Sequence, residues 1–415
     1  MTEAGYASHF IGKWHVGMAS RSRSMPTSRG FESSLGYFHS RNDYYNETRS
    51  QGCDGLLATD LWSDGKPAHG LNGTVYEEII FGNRAQQIIK DHAGRYGPAT
   101  RDNPMFLYYA FHTSCVGTDE RLQPERKHYE RFSFIKDEDR RANNAMIALM
   151  DEIVGNISRT LQDQGMWNDT LILWSSDNGG AVHLHGGANS WPLRGGYFSN
   201  WEGGIRAPAL LSGGFLPQTL HNRTVSGFIH IADWYATFCH LAGKSPHDRR
   251  AEESLPKLPG IDSKNVWPLI IGMNETSPRM EWPLTPFGED PARAPHGGDD
   301  AAYMAEGRYK LLVGQIRQSG WCGQIHPNLT KPWDSFNTVE ACTVPEKGKI
   351  GCLFDVLEDP GEHHDLAIEM PQKAKEIFQK MKEAEKLWFN PDRGSPDPKA
   401  CVIASETGFW QPFLP

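Results

Sequence analysis

No stretch of this 415-residue chain approaches the roughly 20 consecutive apolar residues that a membrane-spanning helix needs, so no span is expected. Nor is there a basic block. The chain sets 42 Lys and Arg against 51 Asp and Glu for a formal charge of -9, which disfavours nucleic-acid binding through a basic face. Its 42 glycines and 27 prolines are scattered rather than massed, which excludes collagen-like and low-complexity classes. No internal repeat is visible, and none of the seven cysteines belongs to a C-x-x-C metal motif. What remains is a chain long enough for one large α/β domain with an appendage, or for two or three smaller domains.

The cysteines (Cys53, Cys115, Cys239, Cys322, Cys342, Cys352 and Cys401) are odd in number, so at least one stays unpaired within the chain. Cys322, Cys342 and Cys352 share a loop-rich stretch, where a disulfide is the natural reading in an oxidising compartment. Asn-x-Ser/Thr sequons occur at Asn46, Asn72, Asn156, Asn168, Asn222, Asn274 and Asn328, seven in all. Chance would give about two among eighteen asparagines. Together these features point to a lysosomal or secreted protein that carries N-glycans. Met1 leads straight into TEAGYASHFIGKWHVG, which is unlike the basic start and apolar run of a secretory leader. The expectation is that a signal peptide and further residues lie upstream of Met1.

Apolar strand-like runs alternate with helical periods, the pattern of an α/β sheet. Ala142, Ala145, Met146, Leu149, Ile153, Ile157 and Leu161 recur at three-and-four spacing, so residues 138–164 read as an amphipathic helix. The strand 170–174 follows, and then Asp177-Asn178-Gly179-Gly180. A similar unit runs from helical residues 76–92 through the strand 105–110 to His112-Thr-Ser-Cys115. Polar residues thus follow strand carboxyl ends, where open α/β sheets bind ligands. Residues 207–211 read as a strand and 229–242 as a helix, whereas 244–300 lack periodicity and read as a long connection. Strands at 309–313 and 352–355 and a helix at 368–388 complete the chain, which divides into 1–300 and a smaller C-terminal domain, 301–415.

Asp177 and Asn178 offer a carboxylate and an amide oxygen side by side, which hard cations accept, although such cations want about six oxygens. Alone, the string reads first as a turn. Lys13 and His15 would face one side at strand spacing, where they could bind an anion and move a proton. An isolated K-x-H is read as surface. The longer string Gly5-Tyr6-x-Ser8-x-x-Ile11-Gly12-Lys13-Trp14-His15-x-Gly17 is more specific. It is joined by Arg29-Gly30-Phe31, Asp177-Asn178-Gly-Gly, Trp191-Pro-Leu-Arg194-Gly195, Trp201-Glu202-Gly203-Gly204, Ile229-His230-Ile-x-Asp233-Trp234 and Leu353-Phe354-Asp355. In order and spacing these strings resemble the sulfatase family, in its arylsulfatase B-like branch, over about residues 3–366.

The resemblance implies an alkaline-phosphatase-like α/β fold, with a central mixed sheet flanked by helices and a smaller C-terminal domain. It implies hydrolysis of sulfate esters, on a small molecule or a sulfated glycan, with Ca²⁺ or Mg²⁺ as the cation. Asp177 and Asn178 would be metal ligands, Lys13 a contact to sulfate or nucleophile, and His15 a partner in turnover. The family's nucleophile is a formylglycine made from cysteine in Cys-x-Pro-x-Arg, and it lies ahead of the segment where this chain begins. No cysteine here has that context, so this chain as given is expected to be inactive.

Two family positions differ. The histidine after the third strand falls in register with Cys115, so His112 is the expected substitute as a catalytic and substrate-binding group. The sulfate-binding lysine aligns with Tyr197, whose phenol can donate one hydrogen bond but carries no positive charge. Two alternatives stay open: a catalytically dead sulfatase-like binding protein, and a phosphoryl-transfer relative with a Ser or Thr nucleophile. His183 and His185 read as loop residues, and His230 with Asp233 as packing and capping groups. Arg194 either attracts the anionic substrate or pairs with an acid of the scaffold.

Overall fold

The computed structural model describes residues 1–415 except 51, 99–101, 184, 256–257, 286–299, 328–337, 344–347, 388–396 and 415. The first layer of the fold is built from β1 (Ala7–Lys13), β2 (Ser33–Tyr37), helix α1 (Glu77–Tyr96), β3 (Met105–Ala110) and helix α2 (Glu138–Asp163). β1 lies between β2 and β3 and runs parallel to both, with Lys13 opposite Tyr37 and Gly12 opposite Ala110. The short strands Trp62–Ser63 and Lys66–Pro67 extend the β2 side in antiparallel fashion, which makes the sheet mixed.

Parallel neighbours put all three carboxyl ends at one edge of the sheet, so three loops open on the same side. The apolar stripe of α1 (Phe81, Ala85, Ile88) packs on Ile11, Leu35 and Tyr37. The stripe of α2 (Ala142, Met146, Leu149, Ile153) closes over Tyr44 and Tyr76. The Asp137 carboxylate caps α2 by accepting from the Arg140 N–H, which fixes where that helix starts.

Next come β4 (Ile172–Ser175), β5 (Ala209–Ser212) and helix α3 (Asp233–Leu241). β4 and β5 form an antiparallel pair of their own. The stretch expected to be a featureless connection carries two short helices, Arg249–Glu253 and Trp267–Ile270, and a strand, β6 (Trp282–Thr285). Segments this short show no period in the sequence. β6 pairs with β7 (Ala301–Ala305), and β8 (Tyr309–Val313) and β9 (Cys352–Asp355) complete a four-stranded antiparallel sheet. Helix α4 (Pro371–Glu385) covers one face of that sheet through Ala374, Ile377 and Met381.

Cys342–Cys352 is the disulfide expected in the Cys-rich stretch, and Cys322 remains a buried free thiol. A second disulfide, Cys53–Cys401, spans 348 residues and fastens the C-terminal helix Lys399–Thr407 against the first layer. Among the described residues no helix is long and apolar enough to cross a membrane.

Candidate active site

Three loops leave the carboxyl ends of the parallel strands, and each delivers polar side chains. After β1, Gly12 has φ +96, and a Cβ there would collide with the Ala110 carbonyl. Only glycine lets β1 close on β3 at this point, one residue before the strand ends at Lys13. The Trp14 and His15 N–H groups bond the carbonyls of Tyr37 and Phe38, and His15 takes φ 47. Strand periodicity therefore stops at Lys13. Even so, the two side chains are electrostatic neighbours. Burial and then the charges of Lys13, His39 and Arg49 hold the His15 imidazole below its ordinary pKa.

The loop after β2 carries His39 and Arg41. The His39 ring nitrogen lies 2.7 Å from buried Asp60, whose carboxylate also accepts from the Phe38 and His39 N–H groups. Arg41 and Arg49, neither of which stands in a family string, turn their charges towards the loop after β3. That loop carries His112 and Cys115. Burial pushes the Cys115 thiol up, Lys13 and Arg41 pull it back, and Asp177 opposes them. Cys115 therefore feels the charges of both Lys13 and Asp177.

His112 is only 1% exposed. Its ring stacks on Tyr44 at 3.9 Å between centroids, and burial followed by the field of Lys13 holds it well below the ordinary imidazole pKa. It is thus a fully buried residue whose charged form is disfavoured, whereas Cys115 is half-buried.

The fourth loop follows β4. Asp177 is exposed, and its charge reaches Tyr108 on β3, Cys115 and Tyr197. The Asn178 amide donates to the Gly179 carbonyl, and Ser176 Oγ donates to the Asn178 carbonyl. A Cβ on Gly179 would collide with the Gly203 carbonyl, so the Asp177 loop lies backbone to backbone on the Trp201–Gly204 turn. The Tyr197 N–H donates to the Gly180 carbonyl, which ties the phenol to the same loop. Lys13, Cys115, Asp177 and Tyr197 thus share one electrostatic neighbourhood, bordered by His15, Arg41 and Arg49.

Asp177 and Asn178 supply two oxygen-bearing side chains where a hard cation takes about six oxygens. Among the described residues no group of three or more His, Cys, Asp or Glu is placed to hold a metal ion. The residues present are a partial donor set at most.

The remaining polar candidates belong to the scaffold. Arg194 is sandwiched between Trp201 and Trp321 at 3.7 and 4.3 Å, donates to the Ser319 carbonyl and meets Glu340 at 3.3 Å. Asp233 accepts both the His230 N–H and a bidentate contact from buried Arg279. His185 pairs with Asp139 at 3.0 Å, and His183 sits half-buried near Phe198. Sequence reading missed Arg41 and Arg49. Their one available signal was position, since Arg41 follows the carboxyl end of β2 by four residues.

A mixed sheet that delivers cationic loops at its carboxyl edge, with a smaller antiparallel sheet behind, is the alkaline-phosphatase-like architecture of sulfatases. The structure superposes on Ps i-CgsB in complex with k-i-k-neocarrahexaose with a TM-score of 0.66 at 23% identity, covering 94% of this chain and 75% of that one. The Sulfatase family model matches residues 1–244, and the chain belongs to the sulfatase family. It is 29% identical to mouse Arylsulfatase J over 430 residues, an alignment that takes in all of this chain and 65% of that protein. It is 26% identical to human Arylsulfatase A, covering 92% of this chain and 69% of that protein. The chain thus spans about two thirds of the length of these relatives.

Proposed function

We propose that this chain belongs to a sulfuric ester hydrolase of the arylsulfatase type, acting on a sulfated small molecule or a sulfated glycan. The observation that carries the reading is that the charges of Lys13, Arg41 and Asp177 all act on Cys115, and that of Asp177 on Tyr197, at the carboxyl edge of a family-typical sheet, with Arg41 also paired to Glu120 at 2.9 Å. Positive charge concentrated there suits a sulfate ester and the charge that grows on it as the ester bond breaks. The names of the relatives and the complex of Ps i-CgsB with k-i-k-neocarrahexaose support the substrate class.

In this reading Lys13 holds a sulfate oxygen, Tyr197 donates one hydrogen bond, and His15 carries a proton beside Lys13. Asp177 and Asn178 would contribute two donors to a Ca²⁺ or Mg²⁺ site, and such a cation would supply charge stabilisation and polarise a sulfate oxygen. No cysteine of this chain stands in the Cys-x-Pro-x-Arg context from which the family's formylglycine nucleophile is made. His112 is fully buried, so it would act on substrate through its neighbours. Two disulfides, and sequons of which Asn46, Asn168, Asn222 and Asn274 are exposed, support a secreted or lysosomal glycoprotein. The sequon at Asn328 lies outside the described residues.

A second reading, a sulfate-ester-binding protein without turnover, is favoured by Cys115 and Tyr197 at two positions that the family gives to histidine and lysine. Both readings require anion binding, which calorimetric titration with inorganic sulfate measures. Binding should be lost in Lys13→Met and tightened in Tyr197→Lys. Equal affinity in Lys13→Met would remove the cleft from consideration. Turnover of a chromogenic aryl sulfate by the chain extended with a Cys-x-Pro-x-Arg segment separates the hydrolase from the binding protein.

A further inference from the structure

Around His112 lies a buried polar cluster whose other members the proposed chemistry does not use. Glu77 is the first residue of α1, and its side chain and that of His112 are both fully buried. His112 Nδ1 stands 3.6 Å from Glu77 Oε2. Among the described residues, neither ring nitrogen and neither carboxyl oxygen makes a hydrogen bond of good geometry, although the Asn42 side chain stands by the carboxyl and the Val116 backbone by the ring; Tyr37 Oη, Asn42 Oδ1 and Glu47 Oε1 likewise lack such a bond.

Anchoring His112 does not require Glu77. The His112 N–H donates to Glu78 Oε1 at 2.7 Å, its carbonyl accepts from Tyr44 Oη and the Cys115 N–H, and its ring is stacked on Tyr44. A carboxyl group placed against an already fixed imidazole, with both groups out of water, cannot afford two separate charge states. The pair carries one proton, either as neutral acid with neutral imidazole or as carboxylate with imidazolium.

The surroundings decide which. Lys13 from β1, with Arg41 and Arg49 from the loops after β2, face His112 and oppose a charge on it. Glu78 from α1, and Glu47 and Asp60 from the segments between β2 and α1, face Glu77 and oppose a charge there. Both sets keep the proton on the acid, and the strongest charge acting on His112 is that of Lys13, half-buried at the end of β1.

We propose that Glu77 and His112 share a single proton, held on Glu77 when the cleft is empty and passed to His112 Nδ1 when an anion neutralises Lys13. One O–H bond breaks and one N–H bond forms, so the charge of the pair as a whole is unchanged. His112 is then a positioning residue, coupled through the His112–Cys115 loop to the group that faces the ligand. An anion that draws the proton across is bound more tightly in return, because such coupling is reciprocal. The inference rests on the proposed anion cleft, and the test keeps the two apart.

The full chain is labelled at its histidine rings, the His112 signal is assigned by its loss in His112→Gln, and ring carbon and nitrogen shifts are followed by NMR. The His112 signal should be that of a neutral ring at pH 7 and should move to the imidazolium position at saturating inorganic sulfate. Lys13→Met should produce the same move with no ligand, and Arg41→Met a smaller move in the same direction. Glu77→Gln, close in shape but with no proton to pass, should hold His112 neutral under every condition and weaken sulfate binding several-fold. A His112 signal that stays neutral in Lys13→Met would overturn the shared proton, even if sulfate binds. If Lys13→Met protonates His112 but sulfate disturbs no signal in the wild type, the shared proton stands and the anion cleft falls.

Discussion

Replacing Lys310 by methionine is expected to cost more stability than any single apolar truncation on the surface of this protein, and to loosen the candidate site from behind. Lys310 lies on β8, fully buried, with Nζ at 2.9 Å from Glu202, 2.6 Å from Glu362 and 2.9 Å from the Asn200 carbonyl. Burial pushes the Glu362 carboxyl up to about 7, while Glu202 and Glu362 together hold the ammonium charged above its ordinary pKa. The substitution leaves two carboxyl groups facing each other without their cation, a change that typically costs about 3–5 kcal/mol.

At about 2.1 cal/mol/K per residue, a chain of 415 residues unfolding as one unit would lose about 1 °C of Tm or a little more per kcal/mol, hence roughly 3–6 °C. The assay is thermal unfolding at pH 7. It is repeated on Lys310→Met combined with Glu202→Gln and Glu362→Gln, which removes the uncompensated charge and should recover most of the loss. Glu202 belongs to the Trp201–Gly204 turn on which the Asp177 loop rests, so Lys310→Met should also weaken sulfate binding without touching the cleft. A Tm within about 1 °C of wild type would refute the reasoning, since it would mean that water or relaxation compensates the pair fully.

Cys53→Ala should lower stability by about 3–5 kcal/mol under oxidising conditions and by little in reductant, because the Cys53–Cys401 bond closes a loop of 348 residues; unfolding with and without a thiol reductant measures it. Glu47 is buried, and desolvation lifts its pKa from 4.5 to about 7, so the folded chain keeps a proton that the unfolded chain releases. Its contribution to stability therefore falls as pH rises from about 4.5 to 7. Glu47→Gln should gain on wild type across that window, by roughly 3 kcal/mol at most, as read from urea unfolding at a series of pH values; a gain that does not vary with pH would contradict the shift. Calcium at micromolar concentration should leave Tm unchanged, because Asp177 and Asn178 provide too few oxygens, and a clear upward shift in a thermal scan would mean that further donors exist.

Elements with a long period or a continuous apolar run were legible in the sequence. The helix read at 138–164 is Glu138–Asp163, and the strands at 105–110, 309–313 and 352–355 stand as read. Amphipathic periodicity reports burial of one face whatever the partner is, so no tertiary information is needed. The motif strings likewise placed Lys13, His15, Asp177 and Asn178 at the ends of strands, because glycines such as Gly12 and Gly179 mark where backbones must touch.

What the order of residues left open was decided by contacts between segments distant in the chain. Arg194, read as either a substrate contact or a scaffold group, is a scaffold group because Trp201 and Trp321 close on its two faces. Cys115 is half-buried and feels the charges of Lys13, Arg41 and Asp177 while His112 is fully buried, since Tyr44, 68 residues from His112 along the chain, supplies both the stacked ring and a hydrogen bond. Glu77 meets His112 only once α1 packs on the parallel sheet, and Cys401 finds Cys53 only when the last helix returns to the first layer. Local pattern encodes where a chain buries itself, whereas which charges share a low-dielectric space depends on the packed structure.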